Sequence, residues 1–206
     1  MRLKEFFTEE VSRKAVFTFG RMNPPTQGHE KLISAVEKVA ASRNGEAFIV
    51  PTKSHDGKKN PLDFSTKVKF LRMFFPKVTI MEDPEIRTVF DAMSWFGENG
   101  YSEVIMVVGS DRVTQFQKMI SAYVPSLNPA VDPSKALDKI STFSVVSAGE
   151  RDPDAEGVKG ISGTKAREFA VNGQYNDFVN LIAPSSGTDQ QKLALYKAVK
   201  KGLGVE

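Results

Sequence analysis

The stretch from Phe19 to His29, FGRMNPPTQGH, constrains the fold more than any other part of the chain. It follows the β-forming run KAVFTFG and leads into a helical pattern, so it marks a strand-to-helix turn. Pro24 and Pro25 cannot donate backbone hydrogen bonds and hold φ near about −65°. Gly20 and Gly28 tolerate conformations closed to other residues. The product is a rigid loop that exposes its backbone. His29 falls in the first turn of the helix, beside N–H groups without intrahelical partners and the positive end of the helix dipole. Such a place favours an anion, most naturally phosphate. The physics gives a phosphate cradle and names no reaction.

The flanking patterns build a sheet around that loop. Val16 to Gly20 reads as the first strand. Leu32, Ile33, Val36, Val39 and Ala40 form one helical stripe that closes at Asn44 and Gly45. Glu46 to Thr52 reads as a second strand, completing a βαβ unit. The polar stretch KSHDGKKNPLDFSTK follows; its Lys53, Lys58 and Lys59 lie beyond the carboxyl end of a strand, where open α/β sheets bind ligands. A solvated loop explains them equally well. A helix is expected from Phe64 to Phe75, ended by Pro76, then a third strand over KVTIME and a helix through Ile86, Val89, Phe90 and Met93.

Glu103 to Val108 is nearly continuous in apolar residues, as expected of a central parallel strand covered on both faces. It runs into Gly109, Ser110, Asp111 and Arg112, a second place where ligand can meet backbone and charge, or else a plain strand exit with Asp111 near a helix start. Tyr123 to Lys139 is rich in breakers and reads as a long irregular excursion. STFSVVSAG is the fifth strand. The loop after it delivers ISGTKARE, where Ser162 and Thr164 precede a helical pattern. Lys165 and Arg167 in that first turn are unfavourable to the helix dipole and make sense if an anion sits among them. The tail from Tyr175 reads as one or two further helices, divided near Pro184 to Gly187. These readings divide the chain into an N-terminal arm (1–14), an α/β domain (15–170) and a C-terminal helical tail (171–206).

Composition removes several classes of function. The chain of 206 residues has no cysteine, which excludes disulfides, thiolate zinc sites and cysteine nucleophiles. Any metal must be held by oxygen or imidazole. No apolar run approaches the roughly 20 residues that span a bilayer, so no membrane role is expected. The start, MRLKEFFTEEVSRK, lacks the apolar core of a signal peptide, and a cytoplasmic protein is expected. The net charge of +3 fits a site for small anions; nucleic acid is the weaker reading, because no dense basic block interleaves with aromatics.

Two motifs then act together. Thr26-Gln27-Gly28-His29 and the later ISGTKAR, Ile161 to Arg167, resemble the HxGH or TxGH loop and the ISSTxxR element of the nucleotidylyltransferase superfamily. FGRMNPPTQGHEKL, KKNPLDF and VVGSDR look most like the nicotinamide-nucleotide adenylyltransferases and the cytidylyltransferase-like proteins of large tailed phages. The resemblance covers roughly 16–169. It implies a Rossmann-like, doubly wound parallel five-stranded sheet with a C-terminal helical extension. It also implies transfer of a nucleotidyl group from a nucleoside triphosphate, with ATP preferred, to a phosphate monoester such as nicotinamide mononucleotide. Pyrophosphate leaves, and Mg2+ is bound mainly through the triphosphate with no metal site of the protein's own.

On that model His29 donates to the α-phosphate, and Thr26 hydrogen bonds phosphate where other members carry a histidine. Ser162, Thr164 and Arg167 hold the β and γ phosphates. Gly20, Arg21, Met22 and Gly28 bring backbone close to the nucleotide, Gly109 and Asp111 lie near the nucleotide or acceptor ribose, and Lys53 contacts phosphate. Gly163 stands where the family carries a second serine, and it leaves the backbone N–H available. Cytidylyl transfer and a pantetheine-phosphate-like acceptor are the alternatives within the family, and a homo-oligomer is compatible with it. A reading of another class is a phage virion or interaction protein that keeps the fold without catalysis, in which case the location would be the host cytoplasm. A dinucleotide-binding oxidoreductase is disfavoured because no GxGxxG follows the first strand.

Overall fold

The computed structural model describes residues 13–149, 163–184 and 187–205. Five strands, β1 (Arg13–Gly20), β2 (Glu46–Pro51), β3 (Thr79–Ile80), β4 (Tyr101–Val108) and β5 (Thr142–Ser147), form one sheet in the order β3-β2-β1-β4-β5. Every pairing is parallel. The helices between them are α1 (Gln27–Arg43), α2 (Phe64–Phe74), α3 (Val89–Glu98) and α4 (Val113–Ser121). Three more follow, α5 (Gly163–Val171), α6 (Tyr175–Leu181) and α7 (Asp189–Gly202). This is the expected Rossmann-like, doubly wound α/β sheet with helices at its C-terminal end. Among the described residues no helix is long and apolar enough to cross a membrane.

The strand order explains where a ligand can sit. From β1 the chain steps outward to β2 and β3, then returns past β1 to β4 and β5. The connections after β1 and β4 therefore leave in opposite directions and open a crevice at the carboxyl edge between them.

Successive side chains of β4 join opposite faces of the sheet, as the strand pleat requires. Val104, Met106 and Val108 of β4 join Phe17, Phe48 and Phe96 on one face, while Ile105 and Val107 meet Val36 and Ala40 of α1 on the other. Coverage on both faces is the physical reason that β4 reads as an unbroken apolar run. Two elements differ from the sequence expectation. β3 is only Thr79–Ile80 rather than all of KVTIME, because it is an edge strand in register with β2 at Phe48 and Ile49 alone. α4 stands as its own helix although periodicity did not isolate it, since only Ile120 of its residues is fully buried.

Local chemistry sets the ends of the helices. Asn44 takes a left-handed φ of 52° after α1, and the Gly45 N–H donates to the Ala40 carbonyl at 2.9 Å. Asp63 caps α2 by accepting the Thr66 N–H at 2.8 Å.

The C-terminal helices pack as part of the core. Ala166, Ala170, Phe178, Leu181, Leu195 and Val199 are buried with Val68 and Leu71 of α2. The end of α7 presses on the segment after β2 so closely that a Cβ at Gly202 would overlap the carbonyl of Pro61. This brings Leu203 to the carboxyl edge of the sheet, beside Gly57, Lys58 and Lys59.

Lys67 of α2 is 0% exposed, and its Nζ donates to the Thr52 carbonyl at 2.5 Å, just past β2. Burial pushes its ammonium down from 10.5 to about 8, opposed in part by Asp63. Between those values the unfolded chain binds the proton that the folded chain has released, so stability rises with pH. Burial shifts Lys53 in the same direction. Tyr101, pushed up to about 12 mainly by burial, acts in the opposite sense only above about 10. Thermal unfolding midpoints are therefore expected to rise between about pH 8 and 10, and Lys67→Met is expected to remove most of that slope. An identical slope in the variant would show that another group carries it.

Candidate phosphate-binding site

The proline loop is held from three directions. From just past β2, the Thr52 N–H donates to the Gly20 carbonyl at 2.9 Å. The side chain of Asn23, 3% exposed, then pairs with both backbone groups of Leu62: its Nδ2 donates to the carbonyl at 2.9 Å and its Oδ1 accepts the N–H at 3.0 Å. From α5, Arg167 Nη1 donates to the Asn23 carbonyl at 2.8 Å. From the end of α6, the Asn180 carbonyl accepts from Gln27 Nε2 at 2.8 Å, and Thr26 and Ile182 form an antiparallel bridge. Met22 within the loop has φ of 44° and is fully buried, backbone included, so the loop does not offer it to a ligand as the sequence reading expects: its side chain anchors the loop in the core.

His29 sits at the third position of α1, with Thr26 as the N-cap. The Thr26 N–H donates to His29 Nδ1 at 3.0 Å, and the Thr26 hydroxyl lies 2.9 Å from the same nitrogen. A nitrogen that accepts an N–H carries no proton, so the proton of the neutral ring is on Nε2. Thr26 is itself 1% exposed. Its position is that of a group that orients the imidazole.

Beside the loop lies an open cavity of about 550 Å³, lined by Arg21, Lys58, Lys59, Thr164 and Arg167, with Val171 and Leu203 as its apolar part. Arg167 bridges its two sides, since Nη2 donates to the Thr164 hydroxyl at 3.0 Å while Nη1 holds Asn23. Burial pushes the Arg167 guanidinium down, and the nearby charge of Arg21 adds to the effect, against Asp56 and Glu168. Among the described residues, none of Arg21, Lys58, Lys59 and Arg167 is paired with a carboxylate within 4.0 Å. Glu168 also lines the cavity, but it makes no contact pair with these cations, and four cations against one lining acid are an electrostatic setting for a multiply charged anion.

The other expected site residues are distributed around this centre. Gly28 is exposed in the first turn of α1. Gly109 ends β4 on the far side of β1, and Asp111 folds back over it: a Cβ at Gly109 would lie 2.7 Å from Asp111 Oδ1. Lys53 turns away from the cavity, its Nζ donating to the Asp83 carbonyl at 2.5 Å and lying 5.3 Å from the Phe64 ring centroid. Ser162 lies outside the described residues. Asn23 and Asp56 were absent from the sequence reading of the site. Asp56-Gly57 is a turn signal that could have found the second, whereas the partner of Asn23 lies 39 residues away and leaves no local pattern.

No family model matches the chain, and no curated protein matches it. Among solved structures, one provisionally assigned as a nicotinate-nucleotide adenylyltransferase of Vibrio parahaemolyticus superposes with a TM-score of 0.56. The two share 15% identity over 89% of this chain and 98% of that one. At that identity the likeness establishes the fold. The Thermotoga maritima protein TmcAL, solved with alpha-thio ATP, gives a TM-score of 0.48 at 12% identity over 93% of this chain and 56% of its own, a similarity too low to add to that conclusion.

The pairing of Asn23 with Leu62 generates a direct test. Asn23→Ala leaves two buried backbone groups without partners and is expected to cost about 2–4 kcal/mol. For a chain of this size that lowers the thermal midpoint by roughly 5–15 °C. Gln27→Ala, which removes an exposed hydrogen bond, is expected to cost less than about 1 kcal/mol. Equal midpoints for the two variants would refute the ranking.

Proposed function

We propose that the protein transfers a nucleotidyl group from a nucleoside triphosphate to a phosphate monoester and releases pyrophosphate. The observation that carries this reading is the cluster of Arg21, Lys58, Lys59 and Arg167 around Thr164, joined through Asn23 to the proline loop, which ends in a histidine whose Nδ1 is occupied by Thr26. A polyphosphate fits those cations. An imidazole with its proton on Nε2 suits a donor to the phosphate that reacts.

In this reading the triphosphate lies across the carboxyl edge of β1. Arg167, Thr164, Arg21 and the two lysines bind its β and γ phosphates, and the α-phosphate meets His29 at the start of α1. The acceptor phosphate oxygen attacks the α-phosphorus in line as the bond to the bridging oxygen of pyrophosphate breaks. His29 Nε2–H donates to a non-bridging oxygen on which charge develops, and the first turn of α1 adds its dipole. No protein nucleophile is required, and rate comes from positioning and charge stabilisation. Thr26 acts through His29, and Gly20 and Gly28 let main chain approach the nucleotide.

Among the described residues no group of three or more His, Asp or Glu side chains is placed to hold a metal ion. Magnesium in this reading arrives on the triphosphate, whose oxygens and water supply its ligands. ATP is the preferred donor and nicotinamide mononucleotide the preferred acceptor. Two things support that choice, the wording of the proline loop and a fold shared with a provisionally assigned nicotinate-nucleotide adenylyltransferase.

Purified protein with magnesium, a triphosphate and a phosphate-bearing acceptor is expected to release pyrophosphate, read by a pyrophosphatase-coupled phosphate assay. His29→Ala is expected to lower kcat by about 10²–10³ with circular dichroism unchanged, the size typical of removing a transition-state donor. Arg167→Ala is expected to raise KM for the triphosphate as well. Absence of turnover with every triphosphate and acceptor pair would sink the proposal.

A further inference from the structure

We infer that Asp56, an exposed acid beside the cationic cavity, is a positioning residue that shapes the turn presenting Lys58 and Lys59 to a polyphosphate. The inference rests on reading that cavity as a polyphosphate site.

An acid at this place is at first sight a defect. Its charge opposes the mutual repulsion of the cations, as its effect on Arg167 shows, and it must repel an incoming phosphate. The hydrogen bonds explain its presence. Asp56 Oδ1 accepts the backbone N–H groups of Lys58 at 2.9 Å, Lys59 at 2.5 Å and Asn60 at 3.3 Å. Oδ2 accepts from Asn60 Nδ2 at 2.6 Å, and the Asp56 N–H donates to the Asn60 carbonyl at 3.0 Å. Those bonds, led by Asn60 and Lys59, hold the carboxyl well below the usual carboxylate range, so it stays ionised and fully engaged.

The carboxylate thus binds the backbone of its own turn and leaves the two lysine amines uncompensated. Both lysines line the cavity together with Arg21 and Arg167. The far end of the turn is fixed independently. Asn60 is 6% exposed, Leu62 is held by Asn23, and Pro61 packs against Gly202 of α7. With one end anchored in the core and the tip tied by Asp56, two flexible cations start from a set backbone. That removes part of the ordering cost of clamping a phosphate.

Geometry and charge predict opposite signs, which makes the inference testable. If Asp56 only damps the positive field, its removal strengthens anion binding. If it positions the lysines, its removal weakens binding although a negative charge has gone. The probe is inorganic tripolyphosphate, titrated calorimetrically into the full chain. Asp56→Ala is expected to bind about tenfold more weakly than the unmodified protein. Asp56→Asn keeps an oxygen for the three backbone N–H groups, its new NH2 can donate to the otherwise unpartnered Asn60 Oδ1 once that amide turns over, and it is expected to bind at least as tightly as the unmodified protein. A double Lys58→Ala, Lys59→Ala variant is expected to lose most of the affinity, and all are expected to keep the parent circular dichroism.

Equal or tighter binding by Asp56→Ala overturns the inference, as does a failure of Asp56→Asn to rescue, or of the unmodified protein to bind tripolyphosphate. The transfer reaction fails separately. Tripolyphosphate binding that depends on Asp56, without pyrophosphate release from any substrate pair, would refute the reaction alone. Turnover whose triphosphate KM is indifferent to Asp56→Ala would refute the positioning role alone.

Discussion

Everything at the carboxyl edge of this sheet depends on how Asn23 is used. Its carboxamide satisfies both backbone groups of Leu62, and its main-chain carbonyl accepts from Arg167, 144 residues later in the chain. One residue therefore joins the loop after β1, the segment after β2 and the first turns of α5. A buried amide with every bond made is stable only in one register, since a shift of either loop would strand polar groups away from water. The cations of the cavity come from these same three segments: Arg21, then Lys58 and Lys59, then Arg167. Their convergence follows from the packing around Asn23.

The start of α1 shows one device meeting two needs. A helix leaves its first N–H groups without intrahelical partners, and a side chain at the third position can reach back to the N-cap. Here that side chain is His29, which accepts from Thr26. The bond that finishes the helix also sets the tautomer of the imidazole. Local folding chemistry and the chemistry of the site are then inseparable: the protonated Nε2 is a consequence of the cap.

The architecture was legible because it is local. The stripe of α1, the β-forming residues of β1 and the unbroken apolar run of β4 are written in residues that are neighbours in sequence. The proline loop and the SGTKAR stretch stood out for the same reason, and the fold brings Arg167 of the second onto Asn23 of the first. What escaped depends on residues far apart in sequence. Lys67 sits in an otherwise apolar helical stripe, and only the fold reveals that it is fully buried against the Thr52 carbonyl. Lys53 reads the same as Lys58 and Lys59, yet it points to Asp83 while they line the cavity. The end of α7 reads as an ordinary tail, and its contact with Pro61 has no signature beyond one glycine.

Gly163 connects these points. At the position where the resembling family carries serine, a Cβ would lie 3.0 Å from Arg167 Nη1 and 3.4 Å from the Asn23 carbonyl oxygen. A side chain here would crowd the guanidinium at the junction with the proline loop, which would have to shift by a few tenths of an ångström. The glycine and the placement of Arg167 are thus one choice: without a side chain at 163, the first turn of α5 seats against the main chain of Asn23, and Arg167 folds into the space between. Gly163 brings no hydroxyl to the helix start, and the half-buried guanidinium has a fixed acceptor on one nitrogen and the Thr164 hydroxyl on the other. With both bonds made, the orientation of the guanidinium is set by the fold itself, which is the condition under which a charged donor contributes most.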